Sequence, residues 1–177
     1  MLTDQGEINI NELVAGKHTI DGKTIRYITK VTNPNRTLTC IRRNAISDGV
    51  PSRKTIMTNE HRMMFEGEMV RAEELVDLVE GVFKVKNNGE PVYNVVMEKQ
   101  DTMMVNGLRC ETVNPHSRGV LSIRMIERVR NERNPEKKVR MAMALRKVLR
   151  RMKLEDIRVE SLRRQRHQKG PQKLNQS

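Results

Sequence analysis

The spacing of apolar residues in this chain changes near Asn114-Pro115. Before that point apolar and polar residues alternate with period two, as in residues 24–31 and 37–42, in short runs separated by turn signals. We therefore expect a domain of β hairpins, interrupted by one helical turn at residues 71–76. The turn signals are Ala15-Gly16, Asp21-Gly22, Asn33-Pro34-Asn35, Asp48-Gly49, Glu66-Gly67, Asn87-Asn88-Gly89 and Asn106-Gly107.

After Pro115 the spacing becomes helical and predicts an amphipathic helix near residues 119–132. A second helix is expected over residues 135–167, because Asn134-Pro135-Glu136 combines an N-cap residue, a proline and an early acid. If it is continuous, this helix is on the order of 50 Å long. From residue 170 onward the composition is that of a flexible tail. The apolar residues of the first helix are Val120, Ile123, Ile126 and Val129.

The second predicted helix has a narrow apolar stripe with 4-3-4 spacing. A stripe of this length needs a packing partner. The β domain is one candidate, and a helix or groove of a neighbouring subunit is the other. The stripe consists of Met141, Leu145, Val148 and Met152.

The net charge of the chain lies entirely in its last third. Residues 124–177 contain 18 Lys and Arg against 6 Asp and Glu, a net of +12, whereas residues 1–123 contain 16 of each and are neutral. Such an asymmetry indicates an acidic surface, a nucleic acid or an anionic membrane as partner, with a solubilising tail as the simpler alternative. The residues expected to contact a partner are Arg140, Leu145, Arg146, Lys147, Val148, Arg150, Arg151 and Met152.

Composition restricts the function further. With two Tyr, two Phe and no Trp, the chain lacks the rings that single-strand base stacking requires. Cys40 and Cys110 do not form a Cys-x-x-Cys pair, so we expect reduced thiols in an intracellular setting, with one disulfide as the alternative. A soluble protein is expected, because the first residues lack signal-peptide features and no apolar run approaches membrane length.

Four segments form a more specific pattern: residues 8–16, 54–75, 91–98 and 103–112. In the second, residues 54–62 are expected to form a strand that ends in Thr58-x-x-His61. In this order the segments resemble the Hint module, the horseshoe-shaped β fold of inteins and hedgehog autoprocessing domains. The resemblance covers roughly residues 8–115 and is greatest to the divergent Hint-like domains of large DNA viruses, which share the Tyr-Asn-Val and Val-Asn-Gly-Leu segments.

The Hint resemblance implies a Cys or Ser nucleophile at the first residue, a Thr-x-x-His pair that acts on the scissile amide, and a terminal His-Asn pair. Thr58 and His61 match the second requirement. Met1 stands at the opening position, so no upstream peptide is expected, and Cys110-Glu111 stand where His-Asn would follow. We therefore expect degenerate catalytic positions, with His61 retained for strand geometry rather than as a catalytic acid. Cys110 is expected to be inert, the alternative being a nucleophile activated by Arg109.

These features predict a mainly β, Hint-like domain over residues 1–115, a helical basic arm over 116–169 and a flexible tail over 170–177. The expected function is a non-enzymatic minor capsid protein of a large DNA virus, made in the host cytoplasm and incorporated into the virion. Its expected partners are major and minor capsid proteins, with nucleic acid and an inner viral membrane as alternatives for the arm. No cofactor, metal or small-molecule substrate is expected. The alternative functions are a genome-facing nucleic-acid-binding protein and a Hint-type self-processing protein.

Overall fold

The computed structural model describes the backbone of residues 1–32 and 35–168, and the side chains of these residues except Glu127 and residues 152–168. The chain divides into two compact units, with the boundary between Ser117 and Arg118. The first unit is mainly β and the second is helical, which confirms the expected fold class. The predicted flexible tail, residues 170–177, lies outside the described residues.

Short antiparallel strands build the described part of the first unit. Two 3-10 helices, Ile10–Glu12 and Ala72–Leu75, interrupt them, and the second confirms the helical turn predicted for residues 71–76. The thirteen strands are β1 (Leu2–Thr3), β2 (Gly6–Glu7), β3 (Thr19–Ile20), β4 (Lys23–Thr24), β5 (Tyr27–Thr32), β6 (Thr37–Ile41), β7 (Thr55–Met57), β8 (Arg62–Phe65), β9 (Glu68–Arg71), β10 (Val82–Lys86), β11 (Pro91–Val96), β12 (Thr102–Val105) and β13 (Leu108–Glu111).

These strands form five small sheets. The largest has the order β12-β13-β8-β9, the next has the order β10-β6-β7, and β1-β2, β3-β4 and β11-β5 are two-stranded. Some pairs are local hairpins, but β6 pairs with β10 and β5 with β11 across long stretches of sequence. The unit therefore depends on distant segments of chain coming together.

Three tight hairpin turns occur where the sequence contains a turn signal. In the turn between β12 and β13, Asn106 and Gly107 both have positive φ, +53° and +86°. Two consecutive residues with positive φ are typical of a type I′ turn, whose twist matches that of the flanking strands. Asp21-Gly22 and Glu66-Gly67 repeat this arrangement between β3 and β4 and between β8 and β9. The predictions of turns at these three positions are confirmed.

One core joins the sheets of the first unit. Most of its fully buried side chains come from β6, β8, β11 and β13, so residues distant in sequence pack together. Methionine contributes Met63, Met97 and Met103 to this core, where its flexible side chain fills space that aromatic rings occupy in other proteins. Other buried members of the core are Ile25, Ile41, Val95, Leu108 and Cys110.

The second unit begins with two helices, α1 (Arg118–Asn131) and α2 (Pro135–Gln168). Both agree closely with the ranges predicted from the sequence. The start of α2 is capped as expected, because the side-chain oxygen of Asn134 accepts a hydrogen bond of 3.0 Å from the backbone N–H of Lys137. The ammonium of Lys137 also lies 2.7 Å from the carboxylate of Glu132, across the connection between the helices. Neither described helix is long and apolar enough to cross a membrane.

Helix α2 packs against α1, a partner that the sequence analysis did not consider for the apolar stripe. In the stripe, Met141 and Leu145 are half-buried, whereas Val148 is exposed. The fourth member, Met152, lies outside the described side chains. Part of the stripe is therefore used within this helical unit and is not free for another protein.

Candidate functional site

A cleft of about 590 Å³ opens in the first unit between β7, β10 and β11. It is lined by Thr58, His61 and Cys110, three of the residues that the sequence indicates as candidates in this unit, and also by Met1. Residues from three separate stretches of the sequence thus meet at one place. This arrangement makes the cleft the candidate site of the first unit.

Thr58 and His61 lie in a turn that directly follows β7. The backbone N–H of His61 donates a hydrogen bond of 3.1 Å to the carbonyl of Thr58, which closes the turn. The carbonyl of His61 then accepts a hydrogen bond of 2.8 Å from the N–H of Ala72. Backbone contacts therefore hold both residues. The strand β7 ends at Met57, so the prediction that the strand includes Thr58-x-x-His61 is wrong, and a turn holds these residues.

Asn59, inside this turn, ties the turn to β6. Its side-chain oxygen accepts a hydrogen bond of 2.9 Å from the hydroxyl of Thr39, and its amide nitrogen donates one of 3.2 Å to the carbonyl of Thr37. Its own carbonyl accepts a hydrogen bond of 3.0 Å from the N–H of Glu73. Asn59 and Thr39 are both buried, so this contact fixes the position of the turn from inside the protein.

His61 is half-buried, and this burial determines its charge. Desolvation lowers the pKa of its imidazole below 6.5, and the nearby carboxylate of Glu111 opposes the shift only in part. The ring is therefore neutral at neutral pH. A neutral imidazole is a weak proton donor to a leaving amine.

Cys110 lies on β13, paired with Met103 of β12 and Met63 of β8, and is 1% exposed. Burial, reinforced by Glu111, raises the pKa of its thiol to about 12. The thiol is buried on a β strand, as expected, and its inertness stays a prediction. The alternative, a thiol whose pKa is lowered by Arg109, is wrong because desolvation acts in the opposite direction.

Cys40, on β6, is the other cysteine and is also buried. Desolvation raises the pKa of its thiol, although Lys54 and Arg42 oppose the shift. Cys40 and Cys110 are both free thiols. The structure has no disulfide between them, and the reduced, intracellular state stays a prediction.

Residue 1 contributes a nearly buried side chain to the cleft. Its carbonyl accepts a hydrogen bond of 2.9 Å from the N–H of Ile8, and its own nitrogen donates one of 2.8 Å to the carbonyl of Ile8. These two bonds hold Met1 where its side chain lines the same cleft as Thr58 and His61. Its side chain is a thioether, which has no proton to lose and cannot become a thiolate.

The match to known protein families covers this whole unit. A model of the Hint domain family matches residues 1–117, which include Thr58, His61 and Cys110. The chain belongs to the Hint domain family. Neither the curated proteins nor the solved structures contain a significant match to it.

Within this Hint domain, two asparagines of the cleft were not recognised as site residues from the sequence. The amide nitrogen of Asn106 donates a hydrogen bond of 2.8 Å to the hydroxyl of Thr55, and that of Asn94 donates one of 3.2 Å to Thr29. In the sequence, Asn106 belongs to a turn signal and to the Val-Asn-Gly-Leu segment, and Asn94 belongs to the Tyr-Asn-Val segment. Their places in the cleft follow from distant strand pairing, for which the sequence has no local signal.

The partner-binding residues predicted from the sequence lie on α2, in the helical unit. The basic ones are all exposed: Arg140, Arg146, Lys147, Arg150 and Arg151. Leu145 is half-buried and Val148 is 37% exposed. In the ranges whose side chains are described, no group of three or more His, Cys, Asp or Glu residues is placed to hold a metal ion. Binding of a partner by these residues stays a prediction.

Proposed function

We propose that this protein is a non-enzymatic structural component of a large DNA virus particle. In this proposal it is a minor capsid protein, made in the host cytoplasm and assembled into the virion. Its Hint domain serves as a rigid block, and its basic helical arm contacts acidic surfaces of neighbouring capsid subunits. The viral setting is supported by the order of the four sequence segments, which resemble the Hint-like domains of large DNA viruses.

The protonation state of Cys110 is the main support for a non-enzymatic domain. Burial raises the pKa of this thiol to about 12, so it stays protonated at neutral pH, and the thiolate is the attacking species. Thr55 is another residue of the cleft with a side-chain hydroxyl. This hydroxyl is engaged in two hydrogen bonds, since it donates one to the carbonyl of Arg53 and accepts one from Asn106. Cleavage of a peptide bond also requires a proton for the leaving amine, and a neutral His61 is a poor donor of that proton.

The charge of α2 supports a partner-binding arm. Residues 137–151 contain seven Lys and Arg and no Asp or Glu. Arg140, Arg146, Lys147, Arg150 and Arg151 are exposed, and Arg forms bidentate hydrogen bonds with carboxylates. Several modest contacts of this kind along one helix add up to firm attachment when many copies assemble.

Incorporation into particles tests this function. The test variant removes four positive charges from the arm by replacing Arg146, Lys147, Arg150 and Arg151 with Gln. We expect this variant to be incorporated at least tenfold less than the wild type. The matched control replaces four exposed cations of the Hint domain with Gln and should incorporate normally. Unchanged incorporation and particle stability with the arm variant would overturn the proposal. The control positions are Lys17, Arg43, Lys99 and Arg109.

A second candidate function is binding of the viral genome, which the same run of cations favours. Each neutralised phosphate releases counterions, so such binding weakens steeply with salt and has little sequence preference. Titration of duplex DNA at low and physiological salt separates the two functions. Binding that persists at physiological salt favours the genome-facing role, and binding that disappears well below it favours the capsid role.

Self-processing is the third candidate, favoured by the presence of Thr58 and His61 in one cleft. The burial and protonation of Cys110 are arguments against it. The inner viral membrane is a weaker candidate for the arm, because amphipathic helices that bind membranes usually place Trp or Phe on the apolar face, and α2 has neither.

A further inference from the structure

Helix α2 has a second apolar patch, on the side opposite its half-buried face. At 100° per residue, Val139, Met143, Arg146 and Arg150 share one side of the helix, and Leu145 lies on the other. Val139 is 55% exposed and Met143 is 66% exposed, more than any other large apolar residue on the described helices. We refer to Val139, Met143, Arg146 and Arg150 as the outer face.

The outer face is distinct from the stripe that the sequence indicated as the packing surface. Leu145, in that stripe, is half-buried within the helical unit, so it is not available to a partner without opening the helix pair. The outer face needs no such opening. A partner that approaches α2 from solvent meets Val139 and Met143 first.

We propose that the outer face binds a protein surface on which an apolar depression is followed by a cluster of carboxylates. This inference rests on the proposed function and names the surface that carries it out. Arg150 lies seven residues after Met143, a rise of about 10 Å along the helix, which sets the separation between the depression and the carboxylates. The positive charge of the helix is complementary to such carboxylates, because the helix has no acid between Lys137 and Arg151.

The order of residues on the outer face favours a protein over a nucleic acid. A phosphate backbone attracts the arginines but offers little apolar surface to cover Val139 and Met143. A helix that inserts apolar residues into a groove, with charged residues beside them, is a common mode of protein recognition. Apolar residues at i and i+4 followed by cations at i+7 and i+11 fit that mode.

The test compares two double variants of the full chain in particle incorporation. The double variant Val139→Gln, Met143→Gln removes the apolar patch. It leaves the charge of the helix unchanged, and Gln is a strong helix former. Val139→Leu with Met143→Leu is the matched control, since it keeps the patch apolar. We expect the Gln pair to reduce incorporation at least tenfold and the Leu pair to change it less than twofold. Circular dichroism at 222 nm verifies that both variants keep the helix.

The outcomes separate this inference from the proposed function. Suppose that the four-Gln charge variant loses incorporation and the Val139/Met143 Gln pair does not. The assignment of the outer face as the binding surface is then wrong, and the proposed structural function stands. If neither variant loses incorporation, the proposed function fails as well. A photo-crosslinker at position 143 in intact particles should label a protein segment near Asp or Glu residues. Crosslinks to DNA or lipid would overturn the assignment of a protein partner.

Discussion

The hydroxyl of Thr39 on β6 donates a hydrogen bond of 2.9 Å to the side-chain oxygen of Asn59, and both side chains are buried. Asn59 lies between Thr58 and His61, so this contact connects the candidate site to the centre of a sheet. The sequence pattern Thr-x-x-His specifies no residue type at its two middle positions. In this protein one of them holds the turn in place.

Replacing Asn59 with Ala should destabilise the domain by about 1–3 kcal/mol, because the hydroxyl of Thr39 and the carbonyl of Thr37 lose a buried partner. Chemical denaturation measures the free energy of unfolding. Asn88→Ala, at an exposed position, is the control and should change it by less than about 0.5 kcal/mol. Equal effects of the two substitutions would show that the buried contact contributes nothing.

The lowered pKa of His61 predicts a dependence of stability on pH. Above pH 6.5 the imidazole is neutral in both the folded and the unfolded state, so its contribution to the free energy of unfolding is fully present. As the pH falls below 6.5, the unfolded chain binds a proton first, and the free energy of unfolding falls by up to about 1.4 kcal/mol per pH unit. Denaturation between pH 7 and pH 5 measures this slope.

His61→Gln should reduce that slope, because the titrating group is gone. His116→Gln changes an exposed histidine and serves as the control that keeps the wild-type slope. If His61→Gln and the wild type have the same slope, desolvation of His61 is not the cause of the acid sensitivity.

The raised pKa of Cys110 predicts a slow and protected thiol. Iodoacetamide at pH 8 should label Cys110 at least 100-fold more slowly in the native protein than in guanidinium, as measured by peptide mass spectrometry. The effect on stability has the opposite sign to that of His61. Above pH 9 the unfolded chain loses the thiol proton and the native chain keeps it, so the free energy of unfolding falls until about pH 12. Native labelling as fast as that of the unfolded chain would contradict the burial.

Asn134→Ala should weaken the start of α2 by about 0.5–2 kcal/mol, because the N–H of Lys137 loses the side-chain oxygen that caps it. Thermal melting followed at 222 nm detects the loss. Asn134→Asp preserves a capping oxygen and should melt like the wild type. A melt of Asn134→Ala that coincides with the wild type would show that the cap does not stabilise the helix.

Local features of the fold were predictable because their causes are local. Asp21-Gly22, Glu66-Gly67 and Asn106-Gly107 each contain a glycine, which tolerates positive φ, and Asn134-Pro135 combines a cap with a pre-formed helical turn. Each of these signals depends on neighbouring residues alone. The three turns and the start of α2 followed from them.

Features that depend on distant contacts were not predictable in the same way. The pairing of Thr39 with Lys84 across β6 and β10 brings together residues that have no mutual signal in the sequence. The presence of Asn94 and Asn106 in the cleft, and the burial that shifts the pKa of Cys110, depend on this long-range assembly. The sequence identified Thr58, His61 and Cys110, but their environment required the structure.

Intact mass spectrometry of the full-length natural protein tests the central claim, that this Hint domain no longer rearranges peptide bonds. The protein is incubated with excess thiol at neutral pH, and a His61→Ala variant is treated in parallel. We expect a single unchanged mass for both proteins, since the cleft holds a neutral imidazole and a protonated thiol. A wild-type cleavage product that is absent from the His61→Ala sample would contradict the account.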